Sequence, residues 1–255
     1  MELKRYFIEF SYDGSAFHGW QSQPNALSIQ EVIEDGLSKL LKQKISVVGA
    51  GRTDAGVHAK QMFAHFNALI KEEHLKDLVF LLNSYFPKSI NIISLENVKG
   101  TAHARFDAIE RSYEYYISSL KDPFNNSYHY FLKNVPDINL MNEAANFLLQ
   151  YEDFKCFSKS RTDVKTFLCN IKNASWSEKE SQIVFSITSN RFLRNMVRSI
   201  VGTLLEIGLN KRPFEDIRFI IESRDRSKAG FSVPAKGLFL TKIIYPSSVY
   251  LKNEK

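Results

Sequence analysis

Apolar and polar residues alternate over positions 5–12, with Tyr6, Ile8, Phe10 and Tyr12 on one face, which is the period of a half-buried strand. Asp13-Gly14 breaks it. Ser28 and Glu31 have capping-box spacing. Behind them Ile29, Val32, Ile33, Leu37, Leu40 and Leu41 recur at helical intervals, which predicts a helix over 29–43. Strands are expected at 45–48 and 61–66 around a glycine-bearing loop, then a helix over 75–84 stopped ahead of Pro87 and a strand at 90–95. The second half has similar grammar: a strand at 111–118, a helix at 140–149 and strands at 165–176 and 182–188. A long helix at 192–207, a shorter one after Pro213 and a strand at 238–245 complete it. Strands and helices mixed in both halves predict an α+β fold of two lobes, 1–103 and 104–255, with the boundary in the stretch 100–106.

The 255 residues suffice for one large domain or two packed halves. A 44% hydrophobic share beside 24% charged residues excludes an extended disordered chain. No run approaches the roughly 18 apolar residues that span a bilayer, so no membrane partner is expected. The first five residues lead straight into a strand pattern without a signal-peptide core, which makes the cytoplasm the expected location. Lys plus Arg number 34 against 28 for Asp plus Glu, and this net +6 favours a polyanionic partner without identifying one. Cys156 and Cys169 have neither C-x-x-C spacing nor a nearby histidine, so they read as reduced thiols packed as small hydrophobes, with no metal site.

The segment richest in chemistry is Gly49-Ala50-Gly51-Arg52-Thr53-Asp54-Ala55-Gly56-Val57-His58-Ala59. Two apolar strands flank a loop whose glycines permit tight backbone paths and which presents Arg, Asp and His together. By residue type alone, Asp54 would be a turn residue capping a backbone amide. The order of residues says more. Arg52-Thr53-Asp54-Ala55-Gly56-Val57-His58 resembles the catalytic motif of the tRNA pseudouridine synthase A family, in which the aspartate is essential. Tyr12-Asp13-Gly14 with Phe17-His18-Gly19-Trp20 resembles that family's first strand and loop. His103-Ala104-Arg105-Phe106-Asp107-Ala108 is similar to its His-Ala-Arg-Phe segment, and Arg111-Ser112-Tyr113 to the motif that supplies the active-site tyrosine. Phe192-Leu193-Arg194-Asn195-Met196-Val197-Arg198 and Pro234-Ala235-Lys236-Gly237-Leu238 complete the set, in family order across nearly the whole chain. One departure stands at Gln61-Met62, where many members carry Gly-Gln.

The resemblance implies a pseudouridine synthase fold: two related lobes around a central antiparallel or mixed sheet, with the active site in the cleft between them. It implies a homodimer acting on tRNA, at uridines 38, 39 and 40 of the anticodon stem-loop. The reaction breaks the N-glycosidic bond, turns the uracil over and rejoins it through carbon 5. It needs no redox change, which agrees with the absence of any cofactor motif. The resemblance assigns Asp54, Tyr113 and Arg198 to catalysis, with Arg52, His58, Arg105, Arg111 and Arg194 as further substrate-binding candidates. A carboxylate can begin as a nucleophile toward base or sugar, or as a base removing a ribose proton, and the sequence leaves all three routes open. An enclosed carboxylate stays ionised beside a guanidinium, and the resemblance makes Arg198 that partner of Asp54. Arg191, Arg194 and Arg198 are expected as a row along the 192–207 helix, an arrangement also usual on a solvated basic face. A tyrosine ring can stack on an extruded uracil, although a packed strand tyrosine is the commoner case. His58 is expected to hold the loop rather than act as a base, Asp13 to support the first turn, and His18 and His65 to be structural. Lys159, Arg161 and Lys165 flank a polar stretch that reads equally as a phosphate-touching loop or an ordinary solvated one.

Two rival readings make different demands. A metal-dependent nuclease needs Asp13, Asp54 and Asp107 to converge on magnesium, and it would stop in chelator. A non-catalytic RNA-binding module would bind by shape and stacking, and it leaves the Arg-Thr-Asp loop unexplained. A target uridine must leave its stack before a carboxylate reaches it, and Arg52, next but one to Asp54, is the candidate to fill the vacated space. Arg52→Ala is therefore expected to lower turnover more than tRNA affinity. Single-turnover rates beside equilibrium binding test this, and equal losses in both would remove the assignment.

Overall fold

The computed structural model describes residues 2–160, 164–179 and 182–251. Its strands and helices gather into two units, Met1–Ile109 with Leu240–Lys255, and Glu110–Phe239. The chain thus leaves the first unit after Ile109 and re-enters it at Leu240. Helices and sheet strands mix in each unit, as the α+β expectation requires. Among the described residues no helix is long and apolar enough to cross a membrane.

The first unit runs β1 (Lys4–Tyr12), α1 (Ile29–Leu41), β2 (Val48–Gly49), β3 (His58–Ala68), α2 (Leu75–Tyr85) and β4 (Ile90–Val98). β1 lies between β3 and β4, antiparallel to both, with Tyr6 opposite Phe66 and Phe10 opposite Met62. A strand paired on both edges can be covered on both faces, and this one is. Tyr6, Ile8 and Phe10 are fully buried on the face marked by the alternation. Phe7 on the other face packs against Phe63, Tyr245 and Tyr250. α1 starts where the capping pattern places it, with the Ser28 hydroxyl accepting the Glu31 N–H at 3.2 Å. The strand expected at 45–48 shrinks to β2. Ile45 N–H donates to Ser38 Oγ at 3.0 Å and Val47 N–H to Glu34 Oε1 at 2.9 Å, so α1 side chains occupy donors that a ladder would use.

The second unit contains β5 (Glu110–Ser118), β6 (Tyr130–Phe131), α3 (Ile138–Leu148), β7 (Ile171–Lys179), β8 (Gln182–Ser189), α4 (Met196–Gly208) and α5 (Asp216–Ser223). β9 (Leu238–Ile244) begins in it and ends in the first unit. β8 is antiparallel to β5 and β7, while the short β6 runs parallel to β5, so the sheet is mixed. Asn142 of α3 clamps β7, accepting the Trp176 N–H at 2.7 Å and donating to the Trp176 carbonyl at 3.1 Å.

Two expectations shift here. The strand expected from 165 begins at Ile171, because the preceding residues pair with the 152–154 segment instead: Phe154 N–H donates to the Phe167 carbonyl and Cys169 N–H to the Glu152 carbonyl. The helix expected from 192 begins at Met196. Asn195 takes a left-handed φ of 67°, which interrupts the helical path, so Arg191 and Arg194 lie outside α4 and form no row with Arg198. Cys156 and Cys169 are free and buried, as expected, and burial pushes their thiols up to about 12 and about 11. Lys159 and Lys165 are exposed, and Arg161 lies outside the described residues.

α4 is the most buried helix of this unit, and Gly202 lets it approach the 229–233 segment. A Cβ at Gly202 would lie 1.8 Å from the Phe231 carbonyl oxygen. Gly202→Ala is expected to lower unfolding free energy by about 2 kcal/mol or more, the range for overpacking against an immobile neighbour. Gly100→Ala, where a Cβ meets nothing within 4 Å, is expected to stay within about 0.5 kcal/mol of wild type. Urea unfolding of both variants checks the contrast.

Candidate active site

The Asp54 loop joins β2 to β3 in the first unit. Ala50 N–H donates to the Phe63 carbonyl at 2.8 Å, which fixes the loop's entry on β3. Gly56 takes φ 77° and Val57 N–H donates to the Asp54 carbonyl at 3.2 Å, so the chain reverses immediately after the aspartate. Asp54 is half-buried and Arg52 exposed. The 13–20 segment clasps this loop. The Tyr12 hydroxyl lies 2.8 Å from Thr53 Oγ1, and Trp20 N–H donates to the Thr53 carbonyl at 3.2 Å. Gly19 has φ +90° and a Cβ there would sit 2.5 Å from the Thr53 carbonyl oxygen; at Gly14 it would sit 2.0 Å from that of Val57. Neither position has room for a methyl group. The clasp is anchored in turn by the first N–H groups of α1, which have no partner inside the helix. Ile29 donates to the Gly19 carbonyl at 3.2 Å and Gln30 to the Trp20 carbonyl at 3.0 Å.

His58 opens β3 and is 1% exposed. Its Nδ1 accepts the Gly14 N–H at 3.1 Å, and Asp13 Oδ1 lies 3.0 Å from the same nitrogen. A neutral ring serves Gly14 through its lone pair, and a ring protonated at Nδ1 serves Asp13. Either form ties the first turn to the end of the Asp54 motif. Asp13 also accepts the Ser15 N–H at 2.9 Å and so caps that turn. Among the described residues, which include Asp13, Asp54 and Asp107, no three or more His, Cys, Asp or Glu side chains are grouped to hold a metal ion. The convergence that a magnesium nuclease needs from those aspartates is therefore not there.

Arg105 stands on a second built turn of this unit. Ala104 N–H donates to His65 Nδ1 at 3.1 Å. Arg105 and Phe106 N–H both reach His103 Nδ1, at 3.1 and 3.3 Å. His65 packs on His103 with ring centroids 4.5 Å apart. Burial first, then electrostatic interaction with His103 and the Arg5 charge, pushes His65 down to about 4, so its ring stays neutral and keeps a lone pair for Ala104.

The remaining candidates belong to the second unit. Arg111 is buried and donates to the Asn190 carbonyl at 2.9 Å. Tyr113 is half-buried on β5, with the Phe192 ring set edge-on at 5.1 Å. Arg198 donates through Nε to the Val233 carbonyl at 2.7 Å, while Val233 N–H returns a bond to the Arg198 carbonyl at 3.3 Å. Burial raises the Tyr115 hydroxyl pKa, opposed by the Arg198 charge, and that hydroxyl donates to the Pro234 carbonyl at 2.8 Å. Arg194 is exposed on the turn before α4, where its carbonyl accepts the Lys159 N–H at 2.9 Å. Asn195 Nδ2 holds that turn by donating to Ser199 Oγ at 2.9 Å and Ser232 Oγ at 2.6 Å. Sequence reasoning gave no role to Phe192, Val233 or Ser232. Phe192 lay inside a quoted motif, whereas nothing in the spacing marks the other two.

The family model described as tRNA pseudouridine synthase matches residues 9–107 and 144–246. The tRNA pseudouridine synthase A of Bacteroides fragilis is 48% identical over 251 residues, covering 98% of this chain and all of that protein. That of Parabacteroides distasonis is also 48% identical, covering 97% of this chain and 98% of its own. The Porphyromonas gingivalis protein of the same name matches at 48% over 98% of this chain and all of its own length. With matches of this length and identity, and the Arg-Thr-Asp loop clasped by its own first turn, the chain belongs to the tRNA pseudouridine synthase A family.

Proposed function

We propose that this isomerase converts uridine to pseudouridine in the anticodon stem-loop of tRNA, with Asp54 as the carboxylate that starts the reaction. The observation that carries the reading is the construction of the Asp54 loop. Gly14, Gly19 and Trp20 bear on its backbone and Tyr12 on the Thr53 hydroxyl, so the loop that carries the carboxylate is held before any substrate arrives. To Arg198 we assign the role of guanidinium partner to Asp54, one suited to a side chain whose Nε is already fixed on the Val233 carbonyl. Tyr113 stacks on the extruded uracil, and Arg52 enters the space it vacates. His58 keeps the loop in place, while Arg105, Arg111 and Arg194 serve the RNA, Arg111 by fixing the end of β5 through Asn190.

The chemistry requires no cofactor, since the uracil that leaves the ribose through N1 rejoins it through carbon 5, losing a proton at carbon 5 and gaining one at N1 with no net redox change. Asp54 attacks the base or the sugar, or takes a ribose proton; each route begins with one ionised carboxylate within reach of the nucleotide. A homodimer in the cytoplasm fits an extended substrate that contacts both subunits. The basic excess of the chain supplies the long-range attraction for it.

Tritium release from tRNA carrying 5-tritiated uridine tests this directly, in excess chelator. Wild type is expected to release tritium, and Asp54→Ala to bind tRNA as wild type does while release falls below detection. Release that survives the substitution would remove Asp54 from catalysis. Release abolished by chelator in the wild type would return the metal-dependent reading.

A further inference from the structure

Phe106 is 73% exposed, although its sequence neighbours Ala104 and Ala108 are buried. Lone exposed phenylalanines are ordinary on protein surfaces, and Phe80 on α2 is another at 72%. The scaffold beneath Phe106 sets it apart. Every backbone N–H from 102 to 107 has a partner. Ala102 donates to the Lys99 carbonyl at 2.8 Å, His103 to Asp107 Oδ2 at 2.7 Å, and Ala104 to His65 Nδ1 at 3.1 Å. Arg105 and Phe106 donate to His103 Nδ1 and Asp107 to the His103 carbonyl. Carbonyls are held as well: Tyr245 donates its hydroxyl to Ala104 at 2.6 Å, and Arg5 its guanidinium to Ala102 at 2.9 Å. The Phe106 ring rests on the His103 imidazole at 4.3 Å, and the Arg105 guanidinium carbon lies 5.5 Å from the ring centroid.

With all its donors used, the turn holds the backbone of Phe106 in place and presents the ring's apolar face to water. Burial is the first cause holding the His103 pKa down, and the charges of Arg5 and Arg105 add to it against Asp107. An exposed aromatic face beside a guanidinium group is what a single-stranded nucleic acid recognises: a base stacks on the ring while the cation meets a neighbouring phosphate. A backbone turn already fixed adds to affinity, because the turn has little freedom left to lose on binding.

We propose that Phe106, flanked by Arg105, is a stacking platform for an unpaired base of the tRNA other than the uridine being isomerised. This rests on tRNA being the substrate. The ring touches the rest of the protein mainly through His103, so its removal leaves the fold intact, which thermal unfolding of each variant verifies. Unmodified tRNA transcript is titrated against full-length wild type, Phe106→Ala, Phe106→Leu and Phe106→Tyr, and tritium release gives KM and kcat for each. Phe106→Ala and Phe106→Leu are expected to raise Kd and KM about tenfold, with the larger share of the loss in KM, and Phe106→Tyr to stay within about twofold of wild type. A wild type that isomerises tRNA while Phe106→Ala binds it equally well overturns this inference alone, and leaves the ring as ordinary surface or a protein contact. Phe106→Leu binding as wild type does overturns stacking. A wild type that neither binds nor isomerises tRNA overturns both readings.

Discussion

The close approach of two backbones governs the first unit. Gly14 and Gly19 bring the 13–20 segment onto the Asp54 loop so tightly that any side chain at either place would meet a carbonyl of Val57 or Thr53. Backbone against backbone is a stiffer contact than side chain against side chain, because no rotamer can absorb a shift. Other features of the unit serve this approach. Trp20 is stacked on Phe10 of β1, which holds one end of the clasp to the centre of the sheet. The first turn of α1 spends its unpaired donors on the Gly19 and Trp20 carbonyls, so the helix locks the clasp from outside.

The second unit solves a related problem with the same means. Gly202 admits the 229–233 segment to the side of α4, and Thr203 accepts the Gly230 N–H at 2.8 Å. That contact sets the Val233 carbonyl where Arg198 needs an acceptor. Arg226, donating to the Gly230 carbonyl and to Ser232 Oγ, closes the segment from its far side. A guanidinium held at Nε keeps its two terminal nitrogens in a fixed plane, which a lysine could not reproduce.

Much of this was legible in the sequence, because the signals were contiguous. The 5–12 alternation marks β1, Ser28 with Glu31 marks the start of α1, and the Arg-Thr-Asp stretch identifies the loop and the family. Legibility ended where a residue's role depends on a distant partner. Periodicity says that Gly19 is not in a helix; it does not say that Gly19 lies on Thr53. Ile45 and Val47 look like strand residues, and only the position of Ser38 and Glu34 on α1 reveals that their donors are taken. The start of α4 was misplaced because Asn195 adopts a left-handed conformation that asparagine tolerates without announcing it. The departure at Gln61 has a local explanation that no motif contained. Its amide donates to Glu9 Oε1 at 2.6 Å and accepts the Ile243 N–H at 2.8 Å, joining β1 to β9.

That last bond belongs to the part of the first unit that arrives late. The unit is interrupted after Ile109 and resumes only at Leu240, so during synthesis the whole of Glu110–Phe239 emerges before it can be completed. Until then Phe7 lacks Tyr245 and Tyr250, and Ala104 lacks the Tyr245 hydroxyl. The contiguous unit is free to fold as it leaves the ribosome, while the one carrying Asp54 waits with apolar surface uncovered. Catalytic competence is thereby tied to the completion of the chain, and a truncated product would expose the sticky face of β1 to chaperones and proteases.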